Sequence, residues 1–260
     1  IIAMTSSFHG RTIGALSVGS NKKYKSNIGP VPGKVKFCKF NDVSHLKKLV
    51  NKKTVAIIIE FVQGDGGINI CSKNFAKAIK EICINKKILL IGDEIQGGIG
   101  RTGKIFAYKH YGLNPDIITS AKGLGSGIPI GATIVKKYIS KMISTGFHGS
   151  TFGGGMLQTR VSYNVLKSIN TKAFLNKVQI NGKFLSKLLK KMHNDHKDKI
   201  VDTRCLGLMA GIEFKTNEIA SKTYTKMANN GLITTLIQGN IIRITPPLII
   251  NKKELNNGLD

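Results

Sequence analysis

Two residues with distinctive chemistry, Asp93 and Lys122, each follow a short aliphatic run of the chain, residues 88–91 and 117–119. Short aliphatic runs bounded by Gly and Pro are typical of buried strands in an α/β sheet. Ligands bind beyond the carboxyl ends of such strands, so both side chains are expected at one ligand-binding edge. There, a lysine amine can form a Schiff base with an aldehyde, and a carboxylate can keep a pyridine nitrogen protonated. This pair of residues therefore suits pyridoxal phosphate chemistry.

Each of these residues alone has an ordinary explanation, since a strand-end carboxylate can cap a helix and a lysine is usually solvated. The surrounding motifs favour a site. Residues 93–103 read DEIQGGIGRTG, and residues 120–132 read SAKGLGSGIPIGA. Four more motifs accompany them in the chain: SFHGRT at 7–12, IGPVPG at 28–33, HGSTFGG at 148–154 and IIRITPPL at 241–248.

In this order and spacing, the motifs resemble those of the class III pyridoxal-phosphate-dependent aminotransferases, and among them the acetylornithine aminotransferases. The resemblance implies an α/β fold of the aspartate-aminotransferase type (fold type I), in which helices cover a mostly parallel sheet and a small α+β domain follows. We expect a cofactor-binding large domain over 1–160, and a connecting helix with the small C-terminal domain over 161–260.

The resemblance also implies how the cofactor is held. Lys122 would carry the cofactor and shuttle the proton between the substrate and the cofactor, while Asp93 would contact the ring nitrogen. Phe8 and Ile95 would pack on opposite faces of the ring, and Gln96 would hydrogen-bond its phenolic oxygen. His9 is interpreted as a wall residue, because the lysine already performs the proton transfer.

The cofactor phosphate is assigned to Ser150 and Thr151, whose hydroxyl and backbone N–H groups can hold an anion in a turn. In the family this threonine reaches the phosphate of the partner subunit, which implies a homodimer with shared active sites. Gly155 and Met156 stand where Asn-Pro is usual, so the start of the next helix is less well fixed.

The substrate side follows from the same resemblance. Arg11 would hold the α-carboxylate, which a planar guanidinium matches well. Asp65 would pair with Arg243 when the amino substrate lacks a distal carboxylate, and release of Arg243 would let 2-oxoglutarate use it. The family normally has Glu at Asp65 and Pro at Phe61, and the shorter Asp predicts a looser pair. Glu60, at the end of the preceding strand, is assigned to substrate binding.

Several elements must position these residues. Apolar patterns predict strands over 34–40, 54–60 and 130–135 and a helix over 42–50. Ser72 is placed to cap a helix whose apolar face carries Phe75, Ile79 and Cys83. Long helices follow from about residue 159, and the strands of 232–248 deliver Arg243.

The expected activity is transfer of the terminal amino group of N-acetylornithine to 2-oxoglutarate in arginine biosynthesis. Alternatives are a related donor (succinyl-diaminopimelate, ornithine or 4-aminobutyrate) or a shortened, non-catalytic remnant. Family members carry a substantial portion before the position of Ile1, including a Gly-Thr loop that binds the phosphate. Its absence here predicts a fragment of a longer reading frame or a shortened gene.

Composition argues against other functions. The net charge of +26 comes mostly from lysines spread along the chain, without the aromatic interleaving or recognition helix of a nucleic-acid-binding protein. Residues 98–104 fit GxxxxGK, but Ile105 replaces the magnesium-binding hydroxyl of a P-loop. Four scattered cysteines predict reduced, buried thiols and no metal site. No membrane span or signal peptide is evident, so we expect a cytoplasmic protein without membrane or nucleic-acid partners.

Overall fold

The computed structural model describes residues 1–259. Its strands are β1 (Ile2–Met4), β2 (Lys36–Cys38), β3 (Ala56–Glu60), β4 (Val62–Gln63), β5 (Asn69–Ile70), β6 (Leu89–Asp93), β7 (Ile117–Ser120), β8 (Ala132–Val135), β9 (Ile200–Leu206), β10 (Met209–Phe214), β11 (Thr235–Ile237) and β12 (Ile241–Ile244). Its α-helices are α1 (Ile13–Val18), α2 (Val43–Leu49), α3 (Lys73–Lys86), α4 (Lys137–Ser140), α5 (Met156–Ile169), α6 (Lys172–Asp195), α7 (Asn217–Asn229) and α8 (Lys252–Asn257).

The large sheet has six strands in the order β2-β1-β3-β6-β7-β8. All neighbouring pairs are parallel except β7 with β8, which is antiparallel. All five residues of β3 are buried, as expected of an aliphatic strand that is covered on both faces. The register places Glu60 opposite Asp93, and Asp93 opposite Thr119. Three neighbouring strands therefore end at one edge, where the predicted site lies.

Two helices on this sheet begin at side-chain caps, of which Ser72 was predicted. Ser72 accepts a hydrogen bond from the Phe75 N–H at 3.1 Å at the start of α3, and Asp42 accepts one from the His45 N–H at 2.8 Å at the start of α2. Phe75 and Ile79 of α3 are fully buried in the core under the sheet. These caps satisfy backbone donors that the first helical turn leaves unpaired.

A second, antiparallel sheet has the order β11-β12-β10-β9. Its core is closed by α6, from which Val178, Leu185 and Leu189 are fully buried. The chain therefore has the expected α/β architecture: a mostly parallel, helix-covered sheet followed by a smaller α+β unit. The predicted division at about residue 160 lies inside α5, and it stays a prediction.

Some predicted elements were too long. The strand predicted over 34–40 extends only over Lys36–Cys38, and that predicted over 130–135 only over Ala132–Val135. All four cysteines are free, and Cys205 is only half-buried. Among residues 1–259, no helix is long and apolar enough to cross a membrane, and no cluster of His, Cys, Asp and Glu could hold a metal ion.

Candidate active site

Asp93 is held at the end of β6 by two contacts. One carboxylate oxygen, Oδ1, accepts a hydrogen bond from the Ile95 N–H at 3.1 Å. The other, Oδ2, lies 2.6 Å from Nδ1 of His9, and the two side chains are 4% and 2% exposed, respectively. The interpretation of His9 as a wall residue stays a prediction, and the structure adds that its ring contacts the carboxylate directly. The second ring nitrogen of His9, Nε2, is buried and lacks a hydrogen-bond partner within the described residues.

The segment that carries His9 is fixed by a third acid, Glu60. The Phe8 N–H donates a hydrogen bond to Oε2 of Glu60 at 3.1 Å. This contact follows from the topology, since β1 precedes Phe8 and pairs with β3, which ends at Glu60. Burial, and then the neighbouring charge of Asp93, raises the pKa of Glu60 well above its ordinary value. Glu60 thus orients the Phe8 backbone as a buried carboxyl group.

Lys122 follows β7 in a left-handed backbone conformation with a φ of 48°. Its side chain opens onto a cavity of about 920 Å³, together with Ile95, Gln96 and Arg243. Burial lowers the pKa of the Lys122 amine; the charge of Arg243 acts in the same direction, whereas nearby carboxylates oppose it. A lowered pKa enlarges the neutral fraction of the amine, and only the neutral amine can attack a carbonyl group or accept a proton.

Arg243 reaches the same cavity from β12 of the small sheet. Its Nη1 donates to Oδ1 of Asp65 at 2.7 Å and to Oε1 of Gln96 at 3.2 Å. Its Nε is buried without a partner in the part of the chain that the structure describes. The guanidinium group therefore keeps unused donor capacity beside Lys122.

Arg11 has a different environment from Arg243. Its guanidinium carbon is 3.9 Å from the ring centroid of Tyr24 and 5.8 Å from that of Phe8. No hydrogen bond or ion pair engages this guanidinium group among residues 1–259. The planar fork is thus supported by aromatic rings and open to an anion.

Ser150 and Thr151 lie apart from these residues. Both are exposed, in a turn where the Gly153 N–H donates to the Ser150 carbonyl at 3.1 Å. Neither lines the cavity that contains Lys122. Their assignment to phosphate binding stays a prediction.

Two charged residues that follow Asp93 in the chain were not interpreted from the sequence. Glu94 accepts the backbone N–H groups of residues 107 and 108, and burial raises its pKa to about 7. Arg101 donates to the carbonyl groups of Leu208 and Pro246, and burial lowers its pKa to about 10. Arg101 therefore joins the loop after β6 to the small sheet.

Two contacts, His9 with Asp93 and Tyr24 with Arg11, could hardly be predicted from the sequence. His9 and Asp93 are 84 positions apart, so no local spacing could reveal their pairing. Tyr24 belongs to a polar, turn-rich stretch that was interpreted only as a loop. A positional signal did exist for His9, because it directly follows Phe8 in a segment assigned to the site.

The residues present fit pyridoxal phosphate. The group needs an amine that can react with its aldehyde and an acid for its ring nitrogen, and Lys122 and Asp93 supply both at neighbouring strand ends. The cavity beside Lys122 has the volume of a typical cofactor site. The buried Nε atom of Arg243 and Nε2 atom of His9 are further polar groups that have no hydrogen-bond partner among residues 1–259.

Comparison with known proteins identifies what this chain is similar to. The family model described as "Aminotransferase class-III" matches residues 1–260. An acetylornithine aminotransferase of Methanocaldococcus jannaschii is 40% identical over 263 residues, covering 100% of this chain and 65% of that protein. Ornithine aminotransferase 1 of Staphylococcus saprophyticus is 41% identical, covering 98% of this chain and 64% of that protein.

Comparison with solved structures identifies the same family of enzymes. The crystal structure of the ornithine aminotransferase of Toxoplasma gondii has a TM-score of 0.94 at 29% identity, over 99% of this chain and 62% of that chain. The chain thus spans less than two thirds of the length of these relatives.

Proposed function

Because the chain belongs to the class III aminotransferases, we propose that its site transfers the terminal amino group of N-acetylornithine to 2-oxoglutarate, as a step of arginine biosynthesis in the cytoplasm. One observation carries the proposal: Lys122, whose amine has a lowered pKa, lies at the strand edge that also holds Asp93. The names of the relatives support an acetylornithine or ornithine donor. Succinyl-diaminopimelate and 4-aminobutyrate are the alternative donors.

Pyridoxal phosphate is the cofactor of this family, and when bound it supplies a ring that delocalises the electron pair left on the substrate carbon. Lys122 would hold it, and the neutral amine of Lys122 would then take the proton from the substrate carbon and return it. Asp93 would hold the proton of the ring nitrogen, and its contact with His9 keeps the carboxylate oriented. Phe8, Ile95 and Gln96 would bind the remaining edges and faces of the ring.

Two arginines would orient the carboxylates of the substrates. Arg11 would bind the α-carboxylate of the donor, so that the terminal amine points towards Lys122. Asp65 occupies Arg243 during this half of the reaction, and 2-oxoglutarate would displace it in the other half. Glu60 would act on the substrate side through the Phe8 backbone that it holds.

We further propose a homodimer with shared active sites. Large, exposed apolar side chains flank Ser150 and Thr151 in the sequence: Met142, Phe147, Phe152 and Met156 are 73–89% exposed. Exposed apolar side chains that are concentrated in one segment are typical of protein interfaces. A partner copy on this surface would bring the two hydroxyl groups to the cofactor phosphate of the other site.

Covalent trapping tests the proposal. The chain is incubated with pyridoxal phosphate, and borohydride is added to reduce the adduct. The labelled peptides are then identified by mass spectrometry. We expect the label on Lys122, its loss in Lys122→Ala, and amino transfer from N-acetylornithine in preference to 4-aminobutyrate. A folded chain that labels no more at Lys122 than at its exposed lysines would instead identify a non-catalytic remnant.

A further inference from the structure

Tyr24 forms a stack that joins two residues of the proposed site. The guanidinium carbon of Arg11 lies 3.9 Å from the centre of the Tyr24 ring, well within the range of a cation–π contact. The Tyr24 ring also meets the Phe8 ring edge-on, with centroids 5.9 Å apart and an interplanar angle of 81°. Tyr24 therefore supports both the predicted carboxylate-binding arginine and the predicted ring-packing phenylalanine.

The loop that carries Tyr24 is tied to the segment that carries Phe8. The Ser7 N–H donates to Oγ of Ser20 at 3.0 Å, and the Ser20 N–H donates to the Ser7 carbonyl at 3.3 Å. A short 3-10 turn, Lys22–Tyr24, follows, and Oδ1 of Asn21 caps it. These bonds fix the half-buried Tyr24 ring relative to residues 7–11.

The stack borders the rest of the site. Phe8, Tyr24 and Asp65 line one recess of about 230 Å³, and Asp65 is the partner of Arg243. No hydrogen bond of the Tyr24 hydroxyl is found among residues 1–259, so the ring face is the part of Tyr24 that acts on Arg11. An arginine held by its face keeps the edges of its guanidinium fork open, and those edges bind a carboxylate bidentately.

We propose that Tyr24 is a positioning residue: it holds Arg11 ready for the α-carboxylate and thereby selects amino donors that carry one. This inference rests on the proposed function of Arg11. A free arginine side chain loses much conformational freedom when it binds a ligand, and a stack that has already ordered it lowers that cost. This gain in affinity applies only to ligands that bind Arg11.

Side-chain NMR tests the stack without cofactor. The chain has only five arginines, so each Nε–H signal can be assigned. The Arg11 signal should carry a ring-current shift that Tyr24→Leu removes and Tyr24→Phe keeps. Tyr163→Leu is the matched control, because Arg160 lies 5.7 Å from the Tyr163 ring on the exposed surface of α5. Unchanged signals of Arg101 and Arg204, which are fixed by internal contacts, show that each variant is folded.

The binding of two ligands then tests whether Tyr24 selects donors that carry an α-carboxylate. N-acetylornithine and N-acetylputrescine differ by the α-carboxylate, and each is titrated into the chain. Tyr24→Leu should weaken N-acetylornithine binding by about two- to fivefold, the range of one exposed cation–π contact, and leave N-acetylputrescine unchanged. Tyr24→Phe should match the unaltered chain. In the amino-transfer assay, the same pattern should appear in the KM for the donor.

The proposal is overturned if Tyr24→Leu leaves the Arg11 signal in place. It is also overturned if this variant changes the affinity for both ligands equally or for neither. These results are distinct from failure of the proposed function. A chain that transfers no amino group would contradict that function, and the Arg11 signal and the two titrations would still decide the role of Tyr24.

Discussion

The Asp65–Arg243 ion pair determines how readily Arg243 can bind a second carboxylate. A single contact of 2.7 Å joins Oδ1 of Asp65 to Nη1 of Arg243, and the two side chains are 35% and 18% exposed. The same Nη1 also donates to Gln96. Asp65→Ala removes the competing carboxylate and should therefore increase the affinity of the chain for a dicarboxylate such as glutarate.

The structure sets the size of this effect. A partly exposed ion pair with one contact contributes about 0.5–1 kcal/mol. At 1.4 kcal/mol per factor of ten, this favours the paired arginine over the free arginine by about two- to fivefold. Since a ligand that needs free Arg243 must first displace Asp65, removing Asp65 should tighten glutarate binding by about three- to sixfold.

Calorimetric titration of glutarate measures this change. Asp65→Glu keeps the charge and should retain the weaker binding. Glu218→Ala removes one negative charge from an exposed pair with Lys222 on α7, and it controls for net charge. Arg243→Ala should weaken binding, and adding Asp65→Ala to it should have no further effect. Equal or weaker glutarate binding by the single variant Asp65→Ala would refute the reasoning, as would zero coupling in the double-mutant cycle.

Three further predictions concern other residues. Because desolvation lowers the pKa of Lys122, its reaction with a small aldehyde should reach half its maximal rate at a pH below 10.5, the ordinary value, and a midpoint at or above that pH would contradict the desolvation of its amine. His9→Ala leaves a carboxylate oxygen of Asp93 unpaired in the interior and should lower the free energy of unfolding in urea by about 1–3 kcal/mol, whereas an unchanged value would exclude a stabilising contact. Gly182→Ala would bring a Cβ atom against the backbone of Gly207 and should cost about 1–3 kcal/mol in the same measurement, with an unchanged midpoint as the contrary result.

The sequence was most informative where a physical rule links local pattern to position. Aliphatic runs of β3, β6 and β7 identify buried parallel strands, and such strands end at one edge. Asp93 and Lys122 could therefore be placed together although the turns between them were unknown. Ser72 was correctly predicted as a cap because its hydroxyl group precedes an apolar helical pattern.

Contacts between distant segments could not be predicted in this way. The His9–Asp93 pair depends on the path that the chain takes after β1, and this path is not a local property of the sequence. Strand lengths were also overestimated, because residues 34–35 and 130–131 have strand-compatible sequences but find no ladder partner. Tertiary pairing, which local propensity does not encode, decides both features.

The two arginines of the site are held by different forces, and this difference matters for a two-substrate reaction. Arg243 is held by a charge, so a competing carboxylate can displace Asp65, and added salt weakens the pair. Arg11 is held mainly by the faces of aromatic rings, whose attraction competes with neither of its hydrogen-bonding edges. A carboxylate can therefore bind Arg11 without displacing any protein group, whereas binding to Arg243 must first break an ion pair. Such an arrangement favours Arg11 as the constant carboxylate site and Arg243 as the one that distinguishes a dicarboxylate from the amino donor.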